Sequence, residues 1–252
     1  MRPTWTLIRR EVTAYFLSPI AYVVLAAFLL VTGHLFYLTT KLLTAKGPVG
    51  IEWPMQGLLA DERFWLVFLF IPPLLTMRLF AEERGSGTLE VLLTAPVRDW
   101  QVVLAKFLGA WIFYALVWLP TLVYLPILTN LSRGEFRIDP WPLATSYLGV
   151  ILAGGMFLAL GMFVSSLVRS QMVAAVISLV LSLVFVLAAF WRPEMDTSSL
   201  TYRGLFFVSV PLHFSRDFTR GVIDTRHLIL YGSVTLFCLF LTVRSLESRR
   251  WR

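Results

Sequence analysis

The chain has 252 residues, 58% of them hydrophobic and only 15% charged, with a formal net charge of +7. Soluble globular domains average about 45–50% apolar and about 25% charged residues, so this composition excludes a water-soluble enzyme and indicates an integral membrane protein. The basic excess forms no dense Lys/Arg cluster of the kind that binds nucleic acid, and a single cysteine, Cys238, excludes an intrachain disulfide and a cysteine-based zinc site.

Residues Pro3 to Leu17 place Trp5, Ile8, Val12 and Tyr15/Phe16 at three- and four-residue steps among Thr6, Arg9, Arg10 and Thr13. This spacing predicts an amphipathic helix lying on the cytoplasmic membrane surface. Ser18-Pro19 ends it, because a residue before proline disfavours the helical region; one long kinked helix over 3–40 is the alternative. The next apolar run exceeds the 7–15 residues of a signal-peptide core, so it reads as a retained first span.

Charge-free runs mark the spans. They cover Val12 to Thr40 (29 residues), Phe107 to Ser132 (26), Pro140 to Val168 (29), Ser170 to Trp191 (22), His227 to Val243 (17) and Phe64 to Met77 (14). A spanning helix needs about 20 largely apolar residues. The shortest run continues past Arg78 into Leu79-Phe80, and an arginine near a helix end can extend its head to the interface. The expectation is an all-α integral membrane protein with six transmembrane helices at about 20–40, 62–80, 102–128, 143–168, 171–190 and 227–244. The chain is read as one transmembrane domain over 1–252, with an N-terminal helix at 1–18, an inner loop at 81–99 and an outer loop at 191–226.

An even number of spans puts both termini on one side. With the termini in the cytoplasm, twelve basic residues lie inside, in short tails and loops beside helix ends, and ten outside, five of them in the long Trp191 to Arg226 segment. Basic residues in short flanks set orientation, which favours cytoplasmic termini in a multi-pass protein of the inner (cell) membrane. Tryptophan agrees: Trp5, Trp100 and Trp251 fall at inner boundaries, and Trp53, Trp65, Trp141 and Trp191 at outer ones, where indole rings favour the headgroup level.

Within the spans, Phe107, Trp111, Tyr114 and Trp118 form an aromatic stripe that suits packing or lipid contact, or else a path for an apolar substrate. Gly155/Ala159 and Gly161/Ser165 are small residues four apart, which allow close helix approach. Pro72-Pro73, Pro120 and Pro126 remove backbone donors and should kink their helices. Gly204 to Leu212 is apolar but too short to span and reads as a short external re-entrant helix. His34, His213 and His227 are scattered along the chain, and His34 within the first span is expected to be a hydrogen-bonded packing residue.

The chain contains no GxxxxGK[ST], HExxH or GxSxG sequence, so the familiar phosphate loop and hydrolase motifs are missing and no catalytic, cofactor-binding or metal-binding residue is assigned. The charge-free runs also lack the intramembrane carboxylates of a proton-coupled carrier. The informative stretch is the inner loop FAEERGSGTLEVLLTAPVRDWQVVLAKF from Phe80. Gly85 and Gly87 supply a turn, Thr88 can cap a helix, and Glu90 near its start suits the helix dipole. Leu89, Leu92 and Leu93 give an apolar face, Pro96 stops the helix after about two turns, and Asp99 is placed to cap the third span. A helix this short is marginal alone, so its leucine face should be buried on the membrane surface or against a cytosolic partner.

Phe80, Glu83, Gly87-Thr88-Leu89-Glu90, Leu92-Leu93 and Pro96 resemble the cytoplasmic FxxExxxGTLExLLxxP signature of type-2 ABC exporter permeases (the ABC-2 family). RREVTAYFLSPIAYV, IPPLLTMRLF and the tail from Gly221 to Trp251 are similar to the gliding-motility-type subgroup. The resemblance implies two six-span subunits, alike or different, and two separate ATPase subunits that bind ATP and Mg; an external auxiliary protein also fits this arrangement. It makes Arg9, Arg10 and Glu11 part of a connecting helix. It makes Glu82, Glu83, Arg84, Gly87, Thr88, Leu89, Glu90, Leu92, Leu93 and Pro96 part of a coupling helix that docks on the ATPase. Before that resemblance, a passive channel or carrier, a device passing mechanical work across the membrane, and a membrane enzyme using Arg192, Glu194, Asp196, Arg203, Arg216, Asp217, Arg220 and Asp224 remain open. Alternating charge in the last set is more simply a mutually neutralised surface.

Overall fold

The structure, a computed structural model, describes residues 2–46, 54–88, 97–131, 139–190 and 200–250. These residues are helical or in turns, with no strand among them. Helix α1 (Arg2–Leu17) ends where Ser18-Pro19 predicts, and α2 (Pro19–Lys46) opens on the proline, whose missing N–H would have no partner in a first turn anyway. After α3 (Pro54–Ala60), the second apolar segment is an interrupted rod of α4 (Glu62–Phe68), α5 (Ile71–Thr76) and α6 (Ala81–Ser86). Its first break lies at Leu69-Phe70, because Pro72 and Pro73 lack the N–H groups that would reach back one turn.

Helix α7 (Asp99–Trp118) passes at Pro120 into the 3-10 turn Leu119–Val123 and then α8 (Tyr124–Leu131). Beyond it lie α9 (Pro140–Leu167), α10 (Gln171–Phe190), α11 (Leu200–Val208), α12 (Val210–Arg216), a 3-10 turn at Phe218–Arg220 and α13 (Thr225–Arg250).

Among the described residues five helical stretches are long and apolar enough to cross a membrane: Pro19–Lys41, Arg63–Ser86, Asp99–Ile127, Pro140–Leu167 and Thr225–Ser248. The short run at Phe64 to Met77 therefore belongs to a stretch of spanning length. Gln171–Leu187, expected to span, is apolar but falls among the shorter helices, so the structure gives five candidate spans where the sequence predicts six.

Helix α9 is central. It buries Val150, Ala153, Met156, Phe157, Ala159 and Met162 on several sides, as a helix surrounded by others must, and its pairing with α13 is the most extensive in the bundle. Helix α1 lies along the start of α7, with Tyr15 stacked on Phe113 at 5.0 Å. Apolar residues remain exposed on α2 (Val23, Leu30) and α13 (Leu236, Phe237), as lipid-facing surfaces would be.

Close approach explains the small residues of α9, with a shift of one position. A Cβ on Gly154 would lie 2.2 Å from the Tyr114 ring, and one on Gly161 2.2 Å from the Thr76 hydroxyl. Gly154, rather than Gly155, is the tightest contact with α7. Two tryptophan expectations change as well. Trp65 is fully buried, donating from Nε1 to the Leu59 carbonyl at 2.8 Å, so it is a core residue rather than a headgroup anchor. Of the α7 stripe, Tyr114 and Trp118 are buried among Phe64, Phe68 and Phe157, which makes the stripe packing rather than a path. Trp5, Trp100 and Trp141 are exposed, while Trp53, Trp191 and Trp251 lie outside the described residues.

Candidate functional site

The second break of the rod, at Met77 to Phe80, leaves backbone groups without helical partners, and irregular backbone at membrane depth persists only when protein satisfies it. Ser165 of α9 does so. Its hydroxyl accepts from the N–H groups of Phe80 (3.1 Å) and Ala81 (3.0 Å) and donates to the Met77 carbonyl at 3.1 Å. Leu79 N–H turns to the Thr76 carbonyl, and the freed Leu75 carbonyl accepts the Tyr15 hydroxyl of α1 at 2.8 Å. Burial, reinforced by the Glu11 carboxylate, pushes the Tyr15 phenol well above its ordinary pKa, so it stays a neutral donor.

This corner aims α6, and with it Glu82, Glu83 and Arg84, at the start of α7. Lys106, almost fully buried, extends from α7 to Glu83 Oε1 at 2.8 Å and to Glu11 Oε1 of α1 at 3.5 Å. Its ammonium also lies 5.4 Å from the centre of the Phe80 ring. Glu11 can reach because α7 has Gly109 beneath it, where a Cβ would lie 2.7 Å from the Glu11 Cβ. Arg78 ties the same corner to the α1–α2 break, bonding Glu82 at 2.9 Å and the Ser18 hydroxyl at 2.6 Å. Arg84 donates to the Ser166 carbonyl at 3.0 Å. Between α1, α6 and α7 lies a cleft of about 340 Å³ lined by Glu11, Tyr15, Arg78, Glu82, Glu83 and Lys106.

The structure thus unites Glu11, Glu82, Glu83 and Arg84, residues expected in two separate helices. Arg9 and Arg10 are exposed beside them, and Arg10 pairs with Glu11 at 3.0 Å. Gly87, with φ of +76°, ends α6 in the left-handed conformation that glycine adopts at least cost. Thr88 Oγ1 lies 2.9 Å from the Ser86 hydroxyl. Leu89, Glu90, Leu92, Leu93 and Pro96 lie outside the described residues. Asp99 is not the cap of α7. Arg98 holds that position, its N–H donating to the Gln101 side chain at 3.1 Å, and Asp99 is already in the first turn.

Lys106 is the residue that sequence reasoning missed, entering only as one of the inner basic charges. Its partners lie 95 and 23 positions away, and nothing local announces them. The signal available was its place as the last charge before a long apolar run.

At the other end of the bundle, the apolar Gly204 to Leu212 segment forms parts of two short helices, α11 and α12, and α12 is buried against α3 and α10. The histidines are less scattered than their sequence positions suggest: His213 and His227 stack at 3.7 Å, while His34 is exposed on α2 rather than packed. Asp217 bonds His227, Asp224 Oδ1 accepts the Arg226 N–H, and Arg216 lies over the Phe206 ring. These charges serve structure, while Arg192, Glu194 and Asp196, and the side chain of Arg203, are outside the described set. Among the described residues, no group of three or more His, Cys, Asp or Glu side chains is placed to hold a metal ion.

A break-containing helical bundle with five candidate spans among the described residues and a polar corner at one end defines a multi-pass membrane protein. Residues 57–212, more than half of the chain, match the family model described as ABC-2 family transporter protein. The chain belongs to the ABC-2 transporter family, and as such is a permease component rather than an ATPase. No curated protein matches the chain.

Proposed function

We propose that this chain is the membrane-spanning subunit through which a separate ABC ATPase drives export or mechanical work across the cell membrane. The observation that carries this reading is the convergence of α1, α6 and α7 on Lys106, with α6 leading in sequence into the leucine-rich residues 89–96. A displacement of that segment by a partner would move α6, and the Lys106 bridge would pass it to both the N-terminal helix and a spanning helix. In this reading the termini and the Lys106 corner are cytoplasmic, Gln171–Leu187 completes six spans, and the subunit pairs with a second permease, identical or homologous, and two ATPase copies. ATP and Mg bind on those ATPases. An external auxiliary protein would meet the opposite end.

The test is copurification from mild detergent, with ATP hydrolysis measured on the recovered complex. The unaltered chain should retain an ATPase. Leu92→Asp, or charge reversal at Glu83 or Glu90, should release it or uncouple its hydrolysis while leaving membrane insertion intact. An unaltered chain that recovers no ATPase, or three variants with normal docking and hydrolysis, would defeat the reading.

A further inference from the structure

We infer that the cleft between α1, α6 and α7 is a headgroup site for a phospholipid carrying a primary amine, a zwitterion of the phosphoethanolamine type, drawn from the leaflet that the cleft adjoins. Its place puts such lipids within reach. Three candidate spans meet there by their ends on one side: Ser18 immediately precedes Pro19–Lys41, Glu82 and Glu83 lie in the last turns of Arg63–Ser86, and Lys106 lies in the first turns of Asp99–Ile127. Ala14 lines the cleft from an exposed position on α1. Leu17, one turn on, is exposed, and α2 continues from Ser18 with Ile20, Val23 and Leu30 exposed, an apolar surface on which acyl chains can lie. The cleft volume of about 340 Å³ is at the lower end of the range for small-ligand sites, about 300–1,000 Å³, which gives room for a headgroup and not for a whole lipid.

The lining carries both signs of charge, Arg78 and Lys106 among the carboxylates of Glu11, Glu82 and Glu83. Lys106 is already engaged by Glu83 and Glu11. Arg78 commits Nε to Glu82 Oε2 and Nη1 to the Ser18 hydroxyl, which leaves its Nη2 without a protein acceptor among the described residues. Glu82 Oε1 and Glu11 Oε2 likewise take no protein donor among the described residues. The cleft therefore retains one donor group and two carboxylate oxygens. A primary ammonium supplies three N–H donors to such oxygens, and a phosphate oxygen accepts from arginine in a charge-assisted bond. Other headgroups match less well. The quaternary ammonium of choline has no N–H to donate, and an anionic headgroup brings no cation to a site where carboxylates already outnumber cations by three to two.

A headgroup held in this way would meet α1 through Glu11 and α6 through Glu82, tying together two helices that converge on Lys106. The firmness of the corner would then follow the amine-lipid content of that leaflet. The site stands whether or not an ATPase docks on the neighbouring loop. Soluble phosphoethanolamine compounds are the other source of the same group, and the exposed apolar residues beside the cleft favour the lipid.

Native mass spectrometry of the full chain purified in mild detergent tests this. The probes are phosphatidylethanolamine, phosphatidylcholine and phosphatidylglycerol with identical acyl chains, added in equal amounts. Phosphatidylethanolamine should be retained, one molecule per chain, at least about tenfold over each of the others, the factor that one charge-assisted hydrogen bond supplies. Glu82→Gln, which removes a charge at an exposed position, should cut that preference severalfold. Ala14→Phe, which fills the cleft without altering a charge, should abolish it; thermal unfolding first shows that both variants are folded. Glu247→Gln, in the exposed pair with Arg244 outside the cleft, should keep the full preference. Soluble glycerophosphoethanolamine at the concentration of the lipid should displace little of it. Equal retention of the three lipids, strongest retention of phosphatidylglycerol, or a folded Ala14→Phe chain that binds like its parent would overturn the site, and full displacement by the soluble headgroup would overturn its membrane source.

Discussion

The Ser165 hydroxyl takes the N–H of Phe80 at 3.1 Å, joining the last turn of α9 to the corner where the α4–α6 rod turns. Both residues are buried, so the bond replaces water that cannot reach the break. The same oxygen serves Ala81 and Met77, and a single side chain thus satisfies three backbone groups.

Ser165→Ala should therefore be costly out of proportion to the atom removed. Each buried backbone group left unpaired costs about 1–3 kcal/mol. Thermal unfolding in detergent should show a loss of at least about 2 kcal/mol, with faster hydrogen exchange confined to residues 77–84. A Ser165→Ala protein as stable as its parent would mean that the corner is held by packing alone.

Gly154 carries a different constraint, because the Tyr114 ring occupies the space where its side chain would be. Gly154→Ala should cost about 1–3 kcal/mol, the usual penalty for overpacking a tight contact. Gly232 is the internal control, since on α13 an added Cβ meets nothing within 4 Å. Gly232→Ala should leave stability unchanged or slightly raised. Equal melting shifts for the two substitutions would show that helix contact at Gly154 is not what selects glycine.

Features that depend on local pattern are legible in the sequence. The α1–α2 break comes from Pro19, the interrupted rod and the end of α7 from Pro72-Pro73 and Pro120, and the family resemblance from the inner loop together with short contiguous segments of the N-terminal helix, the second span and the tail. Features that depend on long-range meetings stay hidden. His213 and His227 are separated by a chain reversal through Gly221, and Lys106 is joined to Glu11 across 95 positions. Trp65 cannot be separated from an interfacial tryptophan by its sequence place, because burial there is decided by distant residues such as Phe214, whose ring packs tilted against it at 4.6 Å.

Lys106 offers the sharpest separation between a structural and a transmitting role. Lys106→Met removes the cation shared by Glu83 and Glu11, leaving Glu11 only the exposed Arg10, and breaking a buried ion pair by removing one partner costs about 3–5 kcal/mol. Helix α1 should loosen, and trypsin should cut faster after Arg9 and Arg10, both exposed on it. Lys106→Met combined with Glu83→Gln removes the uncompensated charge and should recover much of the stability. It cannot recover a bridge between α1 and α6, because neither new side chain joins them through charge. If the bridge transmits movement, the double variant will be stable, will still bind the ATPase, and will show hydrolysis uncoupled from any displacement of α1, measured as a spin-label distance between α1 and α7 with and without ATP. Lys106→Arg, which can keep both carboxylates, should restore the ATP-dependent distance change. A double variant whose α1 still responds to ATP like the parent would reduce Lys106 to a stabilising pair.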